Sequence, residues 1–392
     1  MTAIQAARQN DGESSTILLI DRRQKIGAKI LISGGTRCNV TNREVLSSDY
    51  QGGVSHFVKH VLEAFTPRET IDFFGQMGVE LVLEPTGKYF PTTHSGKTVL
   101  EALVRETERL GIELKTGVVI TGVEKEGNFF RLSGKSETES SLLAKKVILT
   151  TGGLSYPETG SDGTGFQIAR SFGHTIVDTA PALTPLTTDD EDWRSLSGIT
   201  LPVKLSFYKQ NRKKAEARGS FLFTHFGFSG PVVLDISRHW TKAGLQEEPR
   251  VEASFLPDQN EAALGSVLEK KKNANPHRKL KTVLCEDFSL PARFVEVFLR
   301  KAGVSTDKKI IRLLLNCPLR VTGVVGYKKA EVTAGGVDLK EVNVSTMESR
   351  KVPGLYFAGE ILDVDGRIGG FNFQWAWSSG AVAGRAAVKS LS

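Results

Sequence analysis

One stretch near the C-terminus narrows the possible folds more than any other. Gly354-Leu-Tyr-Phe-Ala-Gly359-Glu360-Ile-Leu-Asp363 is an apolar run closed by glycine and acid, and Gly369-Gly370-Phe371-Asn372 then opens a segment rich in small residues. A continuous apolar run suits a strand covered on both faces, as in a parallel sheet. The glycine pair predicts a helix start, and the positive end of that helix dipole favours an electron-rich ligand edge. A strand ending in Gly-Glu offers a carboxylate to ligand hydroxyls. A purely structural reading explains the glycines but not the acids placed beside them.

The N-terminal part repeats the theme. Thr2 to Gln9 reads as a short helix, residues 10 to 15 as a polar break, and Thr16 to Ile20 as a buried strand ending at Asp21. An acid at such a place accepts hydrogen bonds from ribose hydroxyls in dinucleotide folds, although many strands end in Asp as turn residues. Helix, strand and terminal acid are parts of a βαβ nucleotide unit whose opening strand is not seen, because Met1 coincides with the helix start. The turn Gly34-Gly35-Thr36-Arg37-Cys38-Asn39 allows positive φ and close backbone approach to a flat ligand. Arg37 suits a phosphate or a reduced flavin. Cys38 reads as a small buried residue before it reads as a reactive thiol. Thr150-Thr151-Gly152-Gly153 closes another strand, Lys146 to Thr150, and Gly160 to Gly165 leads into a helix from Phe166 to Phe172.

Between these segments, residues 55 to 78 read as helical, with Pro67 near a helix start, and 98 to 110 as a helix. Strands are expected at 80 to 83, 118 to 123 and 129 to 132. Beyond Pro181 the character changes. Residues 195 to 256 read as strands with turns, 257 to 317 as lysine-rich helices and 318 to 352 as extended chain. The expected organisation is therefore a nucleotide domain in two parts, 1–182 and 353–392, around an inserted region, 183–352.

Composition bounds the class. Hydrophobic residues make up 40% and charged residues 24%, ordinary for a soluble globular protein. No apolar run approaches the roughly 18 residues of a membrane span, so no membrane partner is expected. The cysteines, Cys38, Cys285 and Cys317, form no CxxC pair. They argue for a reducing, cytoplasmic setting and against a disulfide framework or metal site. A net charge of +7 favours anionic partners. The basic tracts Lys209 to Lys214 and Lys270 to Lys281 read as solvated faces, and nucleic acid is not the expected partner.

The chain resembles the flavoprotein family that includes aminoacetone oxidase-like and bile-acid Δ4,6-reductase-like proteins. The resemblance rests on KIGAKILISGGTRCNVTN, VILTTGGLSYPETGSDGTGFQIA, SFLFTHFGFSGPVVLDIS, AEVTAGGV and GLYFAGEILDVDGRIGGFNFQWAWSSG, which span nearly the whole chain in order. It implies FAD and an α/β fold: a Rossmann-like FAD-binding domain of glutathione-reductase-like type, interrupted by a β-plus-helical insertion. By the family pattern, cofactor contacts fall on Asp21, Gly34, Gly35, Arg37, Cys38, Asn39, Gly152, Gly153, Glu360, Asp363, Gly370, Phe371 and Asn372. Val119 meets the adenine through its backbone. His225, in SFLFTHFGFSGP, is the candidate proton donor, with a structural histidine as the alternative.

Two departures stand out. Thr36 replaces a glycine of the family pattern and is strained if that position needs positive φ. No GxGxxG turn precedes Asp21, so the natural protein is expected to start upstream, at a strand and phosphate loop. Without that loop, pyrophosphate binding loses roughly 3–9 kcal/mol of hydrogen bonding. The implied activity is FAD-dependent transfer of a hydride or electron pair to or from a small organic substrate, with NAD(P)H as donor or oxygen as acceptor. A flavin-dependent RNA-modifying enzyme and a non-catalytic relic stay open as alternatives. Nothing in the sequence speaks to oligomeric state.

Overall fold

The apolar run before Asp21 is the strand Leu18–Asp21, paired in parallel with Glu113–Thr116, Leu18 opposite Glu113 and Asp21 opposite Thr116. A second parallel pair joins Val147–Leu149 to Leu355–Phe357. Leu355, Tyr356 and Phe357 are buried, as a run apolar on both faces requires. The pairs are separate two-stranded sheets. Among the described residues, Leu18–Asp21 and Val147–Leu149 each have one hydrogen-bonded neighbour. The computed structural model describes residues 1–10, 15–135, 141–303 and 306–391. Parts of the expected polar break (11–14) and of the lysine-rich helical stretch (304–305) lie outside them.

The C-terminal helix, Phe371–Lys389, is built as the glycine pair predicts: its cap, Gly370, is left-handed at φ 94°. The first helix, Thr2–Gln9, crosses it at Gly380 and Gly384. A Cβ on Gly380 would stand 2.8 Å from Thr2 Oγ1, and one on Gly384 would overlap the Thr2 carbonyl oxygen and reach within 3.1 Å of Ala6 N. Pro67 sits in the first turn of a helix capped by Thr66, whose N–H donates to Glu69 Oε2 at 2.7 Å.

The chain divides into two units, Met1–Ala180 with Glu331–Ser392, and Pro181–Ala330. Residues 331–352, expected in the insertion, belong instead with the first unit. Their extended character continues that of the β-rich region in sequence, but their bonds go elsewhere. Thr333 Oγ1 accepts from Leu154 N at 2.7 Å and Ser155 N at 3.1 Å. His174 bridges Glu341 at 3.0 Å and Ser349 at 2.8 Å.

The second unit holds a seven-stranded sheet centred on Thr200–Lys209 and Arg212–Thr224, with helices over the 257–317 stretch. Trp193 stacks on Phe223 at 5.7 Å in its core. The expected strand-and-turn stretch 195 to 256 also contains a helix, Pro231–Thr241. Pro231 fits a first turn, and Val232 with Ile236, and Val233 with Ser237, repeat at helical spacing and are buried. Two further elements escaped the pattern. Glu113–Thr116 carries one apolar residue between polar ones, and Ala28–Ile32 is a five-residue helix with no buried residue.

Candidate cofactor site

The turn after Ile32 is left-handed almost throughout, with φ of 55° at Gly34, 66° at Gly35, 71° at Thr36 and 59° at Cys38. Glycine explains two of these; Thr36 takes the strained conformation expected if the position needs positive φ. The turn is held by Gly96 N–H donating to the Thr36 carbonyl at 2.8 Å and Cys38 N–H to the Ser33 carbonyl at 3.1 Å. Cys38 is fully buried, and burial pushes its thiol up to about 12 against a hydrogen bond from Ser33. It is a neutral thiol at physiological pH.

Beyond the turn, the chain is clamped to the mouth of the C-terminal helix. Asn42 Nδ2 donates to the Gly369 carbonyl at 2.9 Å, and Thr41 Oγ1 donates to Gln374 Oε1 at 2.6 Å. Asn39, 8% exposed, ends here, and its Oδ1 has no hydrogen-bond partner. A Cβ on Gly370 would lie 2.9 Å from that oxygen and 2.7 Å from the Thr41 carbonyl, so only glycine permits this approach. Phe371 is a core residue with an unexposed ring, and its backbone N–H is what it can offer a ligand. Asn372 is engaged with Gly366, accepting from its N–H at 2.8 Å and donating to its carbonyl at 2.9 Å.

A second polar cluster surrounds Glu360. Its carboxylate accepts from Thr333 N–H at 2.9 Å, from the Ser155 hydroxyl and from the Lys29 ammonium, which also donates to Ser155 Oγ at 2.6 Å. Gly152, at φ 72°, lies against Ser161, whose Oγ would stand 2.8 Å from an added Cβ, with Glu360 Oε2 at 3.8 Å. Gly153 is buried against the Thr333 side chain and serves packing. At the other end, Asp21 Oδ1 accepts from Arg23 N–H at 2.7 Å, and the Asp21 carbonyl accepts from Val118 N–H at 3.2 Å, which sets Val119 beside the end of the strand.

Arg37 and Asp363 have other partners, and His225 belongs to the second unit. Arg37 is paired with Glu84 at 2.6 Å and stacked 4.0 Å over the Phe90 ring. Asp363 is half-buried and lies against Gly52, its N–H donating to the Val337 carbonyl at 3.1 Å. His225 belongs to the second unit, on an exposed turn, with its carbonyl accepting from Arg194 at 2.7 Å and its ring 4.9 Å from Phe226. Lys29, Ser155 and Thr333 were not expected at the site. The first two lie inside the KIGAKILISGG and TTGGLSYPETG segments, but nothing local marks them as partners of a residue more than two hundred positions away.

FAD fits the residues present. Asn39 Oδ1 is an orphaned buried acceptor, which needs a donor such as the imide N–H of a flavin. The first N–H groups of the C-terminal helix lack intrahelical partners and suit the carbonyls that flank that imide. Glu360 and Asp21 carry carboxylates, the kind of acceptor that sugar-alcohol hydroxyls need.

The chain matches the model of the HI0933-like protein Rossmann domain over residues 1–386. It is 36% identical over 376 residues to a ribosomal RNA dihydrouridine synthase of Escherichia coli, covering 93% of this chain and 90% of that protein. It is 33% identical over 401 residues to a 3-dehydro-bile acid Δ(4,6)-reductase of Clostridium scindens, covering 99% and 96%. A solved quinol-fumarate reductase with menaquinol molecules shares the fold alone, with a TM-score of 0.50 and 15% identity over 99% of this chain and 68% of that one. With the expected Rossmann-like architecture, an acceptor set suited to FAD and relatives aligned along nearly its full length, the chain belongs to the HI0933-like family and is an FAD-dependent oxidoreductase.

Proposed function

We propose that this enzyme saturates a carbon–carbon double bond conjugated to a carbonyl, and that its substrate is uracil in ribosomal RNA. Dihydrouridine differs from uridine by two hydrogens across a ring double bond conjugated to a carbonyl, and a Δ4,6 3-ketone presents the same electrophile. The reactions named for the two relatives are thus one reaction class. The observation that carries the RNA reading is where the charge lies. Residues 181–330 hold 25 Lys and Arg against 16 Asp and Glu, a net of +9, whereas the rest of the chain has a net of −2. Such a surplus on one unit suits a polyanion and a salt-dependent association.

Asp21, Asn39, Gly152, Glu360 and the start of the C-terminal helix would hold the cofactor. Reduced FAD held there would supply the hydride, and NAD(P)H is the proposed donor of the electron pair that reduces it. Glu360 and Asp21 orient the chain of the cofactor through its hydroxyls. Asn39 and the helix start fix the ring edge, where the positive end of the dipole favours negative charge. A proton must also reach the substrate carbon, and His225 is the candidate donor. Normal turnover in His225→Ala dismisses that role.

A small conjugated enone is the second reading, favoured by the relative at 33% identity over 99% of this chain. The test is to load the protein with FAD, reduce it anaerobically with NADPH, and offer ribosomal RNA and a 4,6-dien-3-one steroid in separate reactions. Dihydrouridine in the RNA digest, lost at high salt, supports the first reading. Reduction of the steroid alone supports the second. A reduced flavin that neither substrate reoxidises overturns the reaction class.

A further inference from the structure

His174 is the centre of a polar cluster outside the cofactor site. It follows the helix Thr164–Ser171, and its side chain is 0% exposed. Its Nε2 lies 2.8 Å from Ser349 Oγ, its Nδ1 lies 3.0 Å from Glu341 Oε2, and the Phe357 ring packs edge-on against it at 4.8 Å between centroids. The order serine, histidine, acid is that of a nucleophilic triad. Ser349 is 6% exposed, however, and its Oγ also accepts from Lys351 N–H at 3.0 Å and from Val352 N–H at 2.9 Å. Both lone pairs of the hydroxyl are thus spent, and it is no nucleophile. The same bonds fix where the protons are. Lys351 N–H and Val352 N–H can only donate, so the hydroxyl hydrogen goes to His174 Nε2. The neutral ring then carries its own hydrogen on Nδ1 and donates it to Glu341.

A second proton on the ring has no place in this arrangement. On Nε2 it would point at a hydroxyl with no free lone pair, so Ser349 must give up a backbone N–H or the ring must turn away. The charged groups that face the ring are Glu341 and Lys351, whose ammonium donates to Glu341 Oε1 at 2.6 Å, while the strand Leu355–Phe357 presents an aromatic ring. Glu341 also accepts from Thr175 N–H at 2.9 Å and from the Thr175 hydroxyl at 2.8 Å. Burial works against its charge, but Lys351 and Thr175 hold it at about 2, so it stays ionised throughout the range in which an imidazole titrates. Burial, with Lys351 beside it, outweighs the pull of Glu341 and keeps the His174 imidazole below its usual 6.5. The released ring therefore takes up the proton first, and falling pH favours release. The segment held by the cluster is 342–352. It is stitched by a bridge between Val342 and Ser349, by Asn343 N–H donating to the Glu348 carbonyl at 2.8 Å and by Ser349 N–H donating to the Leu355 carbonyl at 2.7 Å. Glu360 has a partner before this segment, Thr333 N–H, and follows shortly after it, beyond the strand Leu355–Phe357.

We propose that His174, Glu341 and Ser349 form an acid-operated latch, and that protonation of His174 releases the segment 342–352 while the rest of its unit stays folded. The proposal rests on neither the cofactor reading nor the substrate reading. It is tested on the apoprotein by hydrogen exchange between pH 7 and pH 5, read by mass spectrometry, with each rate corrected for the pH dependence of exchange in the unfolded chain. A released imidazole titrating near 6.5 raises the opening of 342–352 by about 5- to 25-fold over that range, and the helix Gly96–Arg109 does not respond. His174→Gln removes the rise. In the 15N-labelled chain at pH 7, nitrogen shifts show the His174 hydrogen on Nδ1 and none on Nε2. A rise of less than about fivefold, an equal rise in Gly96–Arg109, or a hydrogen on Nε2 at pH 7 overturns the proposal. So does a rise that persists in a folded His174→Gln. The first three results come from the wild-type chain, so the test holds even if the variant does not fold.

Discussion

Replacing Thr36 by glycine stabilises this protein. Thr36 is exposed, left-handed at φ 71°, and its carbonyl, not its side chain, holds the turn by accepting from Gly96 at 2.8 Å. The left-handed conformation costs an L-residue about 1–2 kcal/mol. Glycine removes that cost but gives the unfolded chain more freedom, which takes back about 0.4–1 kcal/mol. The net gain is at most about 1.6 kcal/mol, with a middle value of about 0.8 kcal/mol, or about 2–3 °C in the melting midpoint of a unit of this size. Gly35→Ala is the mirror experiment. Its φ is 66° and a Cβ there meets nothing within 4 Å, so the substitution adds backbone strain and no clash. It lowers the midpoint by a similar amount. Both are read by thermal and urea unfolding of the apoprotein. A lower midpoint in Thr36→Gly, or no change in Gly35→Ala, refutes the reasoning that backbone strain governs this turn.

Asn39→Ala removes an unpartnered buried acceptor, so apoprotein stability does not fall, while FAD affinity drops by about tenfold, the worth of one hydrogen bond, in a fluorescence titration. Gly370→Ala sets a Cβ 2.7 Å from the Thr41 carbonyl at φ 94° and costs more than about 2 kcal/mol in urea unfolding, with FAD binding lost as well. Burial, then Arg238 beside it, lowers the His239 imidazole to about 4, below its usual 6.5. The unfolded chain therefore takes up the proton first, and the stability of the second unit falls as pH drops from 6.5 towards 4, by at most about 3 kcal/mol. His239→Gln flattens that profile in urea melts. Burial pushes the Cys38 and Cys317 thiols up to about 12, so a thiol reagent at pH near 8 modifies half-buried Cys285 alone in the native protein, and all three after denaturation.

The fold was legible where burial dictates composition. Leu355–Phe357 announces itself because a strand covered on both faces must be apolar throughout; Leu18–Asp21 shows the same kind of apolar run, although its residues are only half-buried. Glu113–Thr116 pairs with the latter but carries only Leu114 as an apolar residue, so its pairing is set by its neighbour and not by its own pattern. The helix Pro231–Thr241 hides among strands because its apolar residues form a short run before the helical spacing shows. At the candidate site, the positive φ of Gly34 and Gly35 and the glycine cap of the C-terminal helix were legible from turn chemistry. The pairing of Arg37 with Glu84 and its stacking over the Phe90 ring left no mark in the sequence. The Lys29–Glu360 pair was not legible, because tertiary proximity between distant residues leaves no local mark.

The crossing of the first helix over Gly380 and Gly384 sets an order of events during synthesis. At about 5–20 residues per second, Thr2–Gln9 leaves the ribosome roughly 20–70 s before the surface it rests on has been made. The candidate site residues divide in the same way, with Asp21 and Asn39 made before the insertion, and Glu360 and Gly370 after it. The inserted unit between them has its own core, drawn wholly from residues 186 to 319, and needs neither end of the chain to form it. The candidate cofactor site is thus assembled only after the insertion has been made. A nascent chain stalled past the insertion carries a second unit with its core complete, while Glu360 and Gly370 are still to be made.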